Sequence, residues 1–375
     1  MDTFAWILLG FTVLCLVTGF FDGLKKGLLR AVLRLVLIGA SAAGAYLFIP
    51  TMSEKVMALP VGGQESLSAY VVSVLPEDFR AFADILLPVA RMAVGVVCFV
   101  LMFAVLSLLA RLVYLILKLL VPSGGHTPGG LVGLVTGAVT ALCVCAPLNG
   151  LFVDGGRLAA VTINDKPLIA NAETGTYADS PVSKFYTTVG GGVYRLVSSM
   201  KKEDGTTLTL TGQTDALIAA AKTADKMNEL SSIDYSGGLT AENVGKIRSV
   251  CTDLDAIKAD LSDESLNTLN VAVRVAADSL DLPINVKKLD LGTVSFEKEG
   301  DLVEAVYTFG ETGNIVDLDA TIRALSESTL VLPALRGADL TIKLDETKEN
   351  QVAEAIEKLT DDENAGALRA LFGLA

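Results

Sequence analysis

The sequence predicts a membrane all-α protein. It has a four-transmembrane-helix bundle over residues 1–152, then an α-rich soluble domain over residues 153–375 on the outer side of the membrane. Three observations lead to that reading. Four apolar runs, each long enough for a hydrocarbon core of ~30 Å, crowd into the first part. Charge then divides sharply: Met1–Phe152 holds 9 Lys/Arg and 7 Asp/Glu, a net of +2, whereas Val153–Ala375 holds 21 and 36, a net of −15. Finally, continuous apolar runs give way after residue 153 to amphipathic stripes with capped starts. A break of this kind separates two solvents, and the acidity of the second part excludes nucleic acid as a partner.

The first run is Phe4–Phe21, and the second is Ala31–Ile49, with Arg34 near its start where a long side chain reaches the headgroups. The third, Met92–Ala110, continues past Arg111 and Lys118 to Leu120. Leu131–Phe152 is the fourth, interrupted by Thr136, Thr140, Pro147 and Asn149. Cys15, Cys98, Cys143 and Cys145 lie in these runs and read as small buried apolar residues. Cys251 is the single cysteine of the acidic part, which therefore has no internal disulfide and must stand on its core.

Basic residues set the expected orientation. Lys25, Lys26, Arg30 and Arg34 follow the first run against Asp22 alone, and Arg111 and Lys118 follow the third. The connection Pro50–Arg91 mixes Lys55, Arg80 and Arg91 with Glu54, Glu65, Glu77, Asp78 and Asp84. The basic connections are thus expected inside and the mixed one outside, with both termini outside. The first run has Asp2 before it and its positive charges after it, the pattern of an uncleaved reverse anchor rather than a signal peptide.

Glycines are the next signal. Gly19, Gly23 and Gly27 recur at a spacing of four, and Gly129, Gly133 and Gly137 repeat the pattern at the fourth run. That spacing lines one helical stripe where backbones approach closely, either within the chain or in self-association. The second run carries its own small residues at Gly39, Ala40, Ala43 and Gly44. Lys25, Lys26, Arg30 and Arg34 fall in a stretch, Leu24–Arg34, expected to lie along the inner membrane surface.

Gly19–Phe48, GFFDGLKKGLLRAVLRLVLIGASAAGAYLF, resembles the first helical hairpin of the colicin V production protein (CvpA) family. The long third run ending in Arg111, then Gly129, Gly130, Gly133 and Gly137, is similar to that family's glycine-rich last helix. The resemblance covers Met1 to about Phe152 and rests on glycines and basic residues, not on catalytic groups. It implies a bacterial inner-membrane protein associated with toxin production or export and with envelope maintenance. The long outer connection and the acidic tail depart from the shared pattern.

In the acidic part, helical stripes are expected over Thr214–Leu230, from Thr240 to Ile257, and over Ser265–Leu280, Val316–Leu325, Glu346–Leu359 and Asn364–Leu374. Short strands over Thr207–Thr211, Leu302–Phe309 and Leu340–Leu344 keep an α+β reading open, and Gly155–Gly192 reads as loop-rich. Some relatives implied by the resemblance carry an outer trypsin-like protease at this place. That chemistry needs a histidine base, and the one histidine is His126, expected in a flexible turn of the membrane part. No Ser-His-Asp triad, Cys-His pair or histidine-bearing zinc site is available after residue 153, and no P-loop or dinucleotide fingerprint is present. Abundant carboxylates read as solvated faces. The expectation is no enzyme, cofactor or metal: a membrane accessory or scaffold protein whose outer domain binds a membrane or envelope partner, with self-association open. The alternative is a small-solute transporter or channel formed by an oligomer of the bundle.

Overall fold

The computed structural model describes residues 3–74, 83–163, 166–167, 176–202, 205–236, 238–279, 290–336, 342–343, 346–359 and 362–374. Two compact units emerge, Met1–Ile218 and Ala219–Ala375.

In the first unit, α1 (Thr3–Lys26), α2 (Leu28–Met57), α4 (Ala83–Leu117) and α5 (His126–Ala159) contain the four expected runs, each long and apolar enough to cross a membrane. α1, α2 and α5 outrun their apolar stretches at both ends, because a helix does not end where its side chains turn polar, whereas α4 starts earlier, at Ala83, and stops at Leu117, short of the expected Leu120. α2, for instance, passes Pro50 and continues to Met57. The buried share of the apolar window rises from 17% in α1 to 44% in α5, which makes α5 the central helix. α1 and α2 both pack on α5, and α4 packs on α2. Between α2 and α4 lies α3 (Leu67–Val74), inside the connection expected to be a loop; Glu77, Asp78 and Arg80 fall outside the described residues.

Gly155–Gly192 is not loop-rich where it is described. α5 runs to Ala159, a two-residue ribbon joins β1 (Thr162–Ile163) to β2 (Lys166–Pro167), and a 3-10 turn (Thr176–Asp179) leads into α6 (Pro181–Val197). Pro181 occupies the first turn of α6, where its missing N–H costs nothing, and the Ser180 side chain accepts from the Ser183 N–H at 3.1 Å. β3 (Ser199–Lys201) then pairs antiparallel with β4 (Thr207–Thr209). The strand expected over Thr207–Thr211 stops at Thr209, whose hydroxyl accepts from the Gly212 N–H at 3.1 Å and opens α7 (Leu210–Ser231). The compact unit thus extends well past the charge break at residue 153.

The second unit is helical: α8 (Ala241–Ala259), α9 (Asp263–Ser279), α10 (Phe296–Thr312), α11 (Ile315–Glu327), α12 (Val331–Arg336), α13 (Glu346–Glu357) and α14 (Asp362–Leu371). Thr240 caps α8, its hydroxyl accepting from the Asn243 N–H at 3.2 Å. The strand expected over Leu302–Phe309 is α10. Its helix signals lie outside that window: Glu297 and Glu299 in the first turn, and Gly313 at a left-handed φ of 63° after the last. The strand expected over Leu340–Leu344 lies outside the described residues except for Ile342 and Lys343. Leu302, Leu318, Ile322, Leu325, Leu332, Val352, Ile356 and Leu368 form the core. Buried Glu299 ties it together: its carboxylate accepts from the Ser328 hydroxyl at 2.7 Å, the Thr329 N–H at 2.7 Å and hydroxyl at 3.0 Å, and the Leu330 N–H at 2.9 Å.

Candidate functional site

The glycine stripes face each other across α1 and α5. A Cβ placed on Gly19 would strike the Gly133 carbonyl and lie 3.0 Å from the Gly137 nitrogen. On Gly23 it would strike the Gly129 carbonyl and lie 2.9 Å from the Gly133 Cα. In return, a Cβ on Gly129 would lie 2.6 Å from the Gly23 carbonyl, and one on Gly133 or Gly137 would strike the carbonyl of Gly19 or Cys15. Every obstacle is backbone, so no rotamer change could make room. Such proximity brings Cα–H groups against carbonyl oxygens, and dispersion and weak hydrogen bonds can hold two helices without a hydrophobic drive. The seam is contained within one chain. By contrast, Gly39, Ala40 and Ala43 of α2 are exposed, and Gly39 has nothing within 4 Å of a built Cβ.

Gly27 plays a different part. It stands between α1 and α2 at φ 77°, its Cβ position closed by the Ser123 carbonyl, and the Leu28 N–H after it donates to the Gly125 carbonyl at 2.8 Å. Leu24–Arg34 is therefore not a separate surface helix. Its first residues finish α1, its last begin α2, and the left-handed glycine puts Lys26 on one helix and Arg30 and Arg34 on the next.

The basic residues gather at this end of the bundle. Asp22 accepts from Lys26 at 2.8 Å and from Arg34 at 2.5 Å, Arg30 Nε donates to the Val121 carbonyl at 2.9 Å, and the Lys26 ammonium lies 5.1 Å from the Tyr114 ring centroid. Lys25 is exposed. His126 is not in a flexible turn: it opens α5, with Nδ1 2.9 Å from the Leu24 carbonyl oxygen.

At the opposite end of α5 runs a buried polar row that the sequence reading missed. Cys145 lies beside Thr12, whose hydroxyl also meets the Tyr186 hydroxyl. Asn149 accepts from the Tyr177 hydroxyl at 2.5 Å and donates to the Thr187 hydroxyl at 3.3 Å. Asp154, 3% exposed, accepts from the Tyr194 hydroxyl at 2.6 Å and the Thr211 hydroxyl at 2.9 Å. Arg157 stands 3.6 Å from Asp154 and 2.5 Å from Asp215. Gly150 is required beneath Tyr194, since a Cβ there would enter the Tyr194 ring. One signal in the sequence was available: Asp154 stands two residues beyond an apolar run, with Arg157 three residues on.

No group of three or more His, Cys, Asp or Glu positioned to hold a metal ion occurs among the described residues, and all five cysteines are free thiols. A cleft of about 480 Å³ beside the start of α4 contains the Glu54–Arg91 pair, 3.9 Å apart, in an otherwise largely apolar lining. Compared with protein-family models, with curated proteins and with solved structures, the chain matches none.

Proposed function

We propose that this chain is a CvpA-like multipass accessory or scaffold protein of the bacterial cytoplasmic membrane, linked to toxin production or export and to envelope maintenance. The observation that carries the reading is the α1–α5 seam. The glycines on which the resemblance rests hold the bundle together backbone to backbone, and the basic residues of the same stretch gather at one end. On this reading both termini lie outside, and the helical acidic unit presents a surface for a membrane or envelope partner. Copurification from gently solubilised native membranes tests it. The intact chain should bring down a reproducible partner, and a chain ending at Ile218 should lose it. Equal recovery with both chains would sink the role assigned to the second unit.

Transport by an oligomer is the second reading, and the buried row on α5 is the observation in its favour, because intramembrane polar residues often line paths. The scaffold is favoured because Asn149 and Asp154 are engaged by Tyr177, Thr187, Tyr194 and Thr211 rather than facing an open lumen. Solute flux into proteoliposomes that depended on Asn149 and Asp154 would reverse that preference.

A further inference from the structure

α6 begins after the charge break, where the sequence places a soluble domain, yet it packs at the depth of the bundle. The register of α1 on α5 supplies the scale. Gly23 meets Gly129 near one end, Thr12 lies beside Cys145, and Phe4 stacks on Phe152 at the other end with ring centroids 3.6 Å apart. The distance along α5 from Gly129 to Phe152 is roughly 35 Å at about 1.5 Å per residue, close to a hydrocarbon core of ~30 Å. α6 enters inside that interval. The Tyr186 hydroxyl meets Thr12, and a Cβ on Gly190 would strike Ala146 and lie 3.7 Å from a methyl of Leu142. Cys145 is about 10 Å inward of Phe152 on the same helix scale.

The exposed side of α6 is sorted by chemistry. Phe185, Val189 and Leu196, each 52% exposed, share one stripe at spacings of four and seven. Lys184, Thr188 and Arg195 are exposed on a second stripe about 100° further round the helix. The apolar stripe adjoins the face that buries Val182, Tyr186 and Val197, and Trp6, Ile7 and Leu9, near the end of α1 that stacks Phe4 on Phe152, are likewise exposed. A helix with one side on its bundle, an apolar flank and a basic polar face matches the border between acyl chains and headgroups.

We propose that α6 is a membrane-embedded helix: its Phe185–Val189–Leu196 stripe lies against acyl chains of the leaflet at the Phe4–Phe152 end, and its Lys184–Arg195 stripe lies at the headgroups. The assignment does not depend on which side that leaflet faces or on the family reading. It moves the start of the water-soluble part beyond Val197.

The chain's one tryptophan, Trp6, 58% exposed on α1, is an internal reference. Full-length protein carrying Trp6→Phe and Val189→Trp is reconstituted in phosphatidylcholine vesicles with or without brominated acyl chains, and emission is compared with that of the unaltered protein and of Trp6→Phe with Tyr235→Trp. Bromine should quench the tryptophan at 189 by a factor close to that for Trp6, and the one at 235 little. Quenching at 189 no greater than at 235 overturns the proposal. If aqueous iodide also failed to reach position 189, the stripe would be a protein contact. Phe185→Trp repeats the measurement with an aromatic-for-aromatic exchange, so failure of the first variant to fold leaves the test intact.

Discussion

Replacing Gly133 with isoleucine tests the packing argument where its magnitude can be worked from structure. The first added carbon alone would lie 2.9 Å from the Gly23 Cα and would strike the Gly19 carbonyl. Favourable carbon–carbon separations are about 3.5–4.0 Å, so the Gly23 contact alone parts the axes by roughly 0.6–1.1 Å, and the Gly19 carbonyl demands at least as much, before the rest of the side chain is placed. A gap of 0.5–1 Å forfeits about a quarter to a half of each contact's dispersion energy, and α1 depends on that contact along Gly19 and Gly23. Overpacking costs about 1–3 kcal/mol where side chains can yield; here the obstacles are backbone, so about 3 kcal/mol or more is expected. Gly39→Ile makes the informative control: it is also a glycine in a spanning helix, but nothing lies within 4 Å of its built Cβ. Alanine sharpens the contrast, because Gly→Ala favours a helix interior by about 1 kcal/mol. Gly39→Ala should be neutral or slightly stabilising, and Gly133→Ala destabilising, so the same exchange changes sign with position. Thermal or denaturant unfolding in one detergent, together with the amount of protein in the membrane, reads both pairs. Gly133→Ala and Gly133→Ile melting with the Gly39 variants would refute the seam as the element that holds α1 on α5.

Other consequences follow from local geometry. Glu299→Ala leaves the half-buried N–H groups of Thr329 and Leu330 without their acceptor and should cost about 2–3 kcal/mol in unfolding of the second unit, with Glu299→Gln losing less; equal stability would mean that the carboxylate is not an anchor. Burial, with Glu299 and Asp255 nearby, raises the Cys251 thiol to about 11. The folded state therefore favours the protonated form: this contribution is complete below about 9, the ordinary thiol value, and fades as pH rises toward 11. Alkylation at pH 8 should be slow until the chain unfolds, and Cys251→Ala should flatten stability between pH 9 and 11; rapid alkylation of folded protein would contradict this. A reporter fused at Gly205 should give an extracytoplasmic signal, and a cytoplasmic one reverses the orientation. Residues 210–375 expressed alone should show a helical spectrum and a cooperative melt, since the Leu302–Ile322–Ile356–Leu368 cluster is internal to the second unit; a disordered spectrum would mean that folding needs the membrane or a partner.

The four long apolar helices were legible because apolarity over eighteen or more residues has few other causes; a spacing of four marked the faces of Gly19 and Gly23 and of Gly129, Gly133 and Gly137, but neither named the partner helix nor separated out Gly27, which joins α1 to α2. Where helices stop was less legible: nothing in Thr51–Lys55 announces that α2 continues through it. α6 was misread for an instructive reason. Gly190, Gly191 and Gly192 look like a loop, but a Cβ on Gly190 would strike Ala146, so one of them is a packing residue inside a helix. The start of α6 is carried by two residues alone, the Ser180 cap and Pro181 in the first turn. α10 was misread because the window Leu302–Phe309 excluded both of its end signals. The polar row was hidden by distance along the chain, since Asn149 meets Tyr177, Asp154 meets Tyr194 and Thr211, and Cys145 meets Thr12. A local pattern cannot announce a partner so far away.

The two halves of α5 answer the same problem differently. In lipid, burying an apolar face gains little, so a helix must be held by close approach or by hydrogen bonds. Near His126 α5 uses close approach, because α1 is long and offers a continuous backbone to lie against. Beyond Cys145 its neighbours include short pieces, the Thr176–Asp179 turn, α6 and the first turn of α7, which have less length over which to gain contact. Here polar side chains carry the attachment, and Asn149 and Asp154 both find partners, where an unpaired group would cost several kcal/mol. Asp154 is met by hydroxyls from α6 and α7 together, while Arg157 joins it to Asp215 of α7. One carboxylate therefore fastens three elements, which is a physical reason for the first compact unit to continue to Ile218 when the composition changes at residue 153.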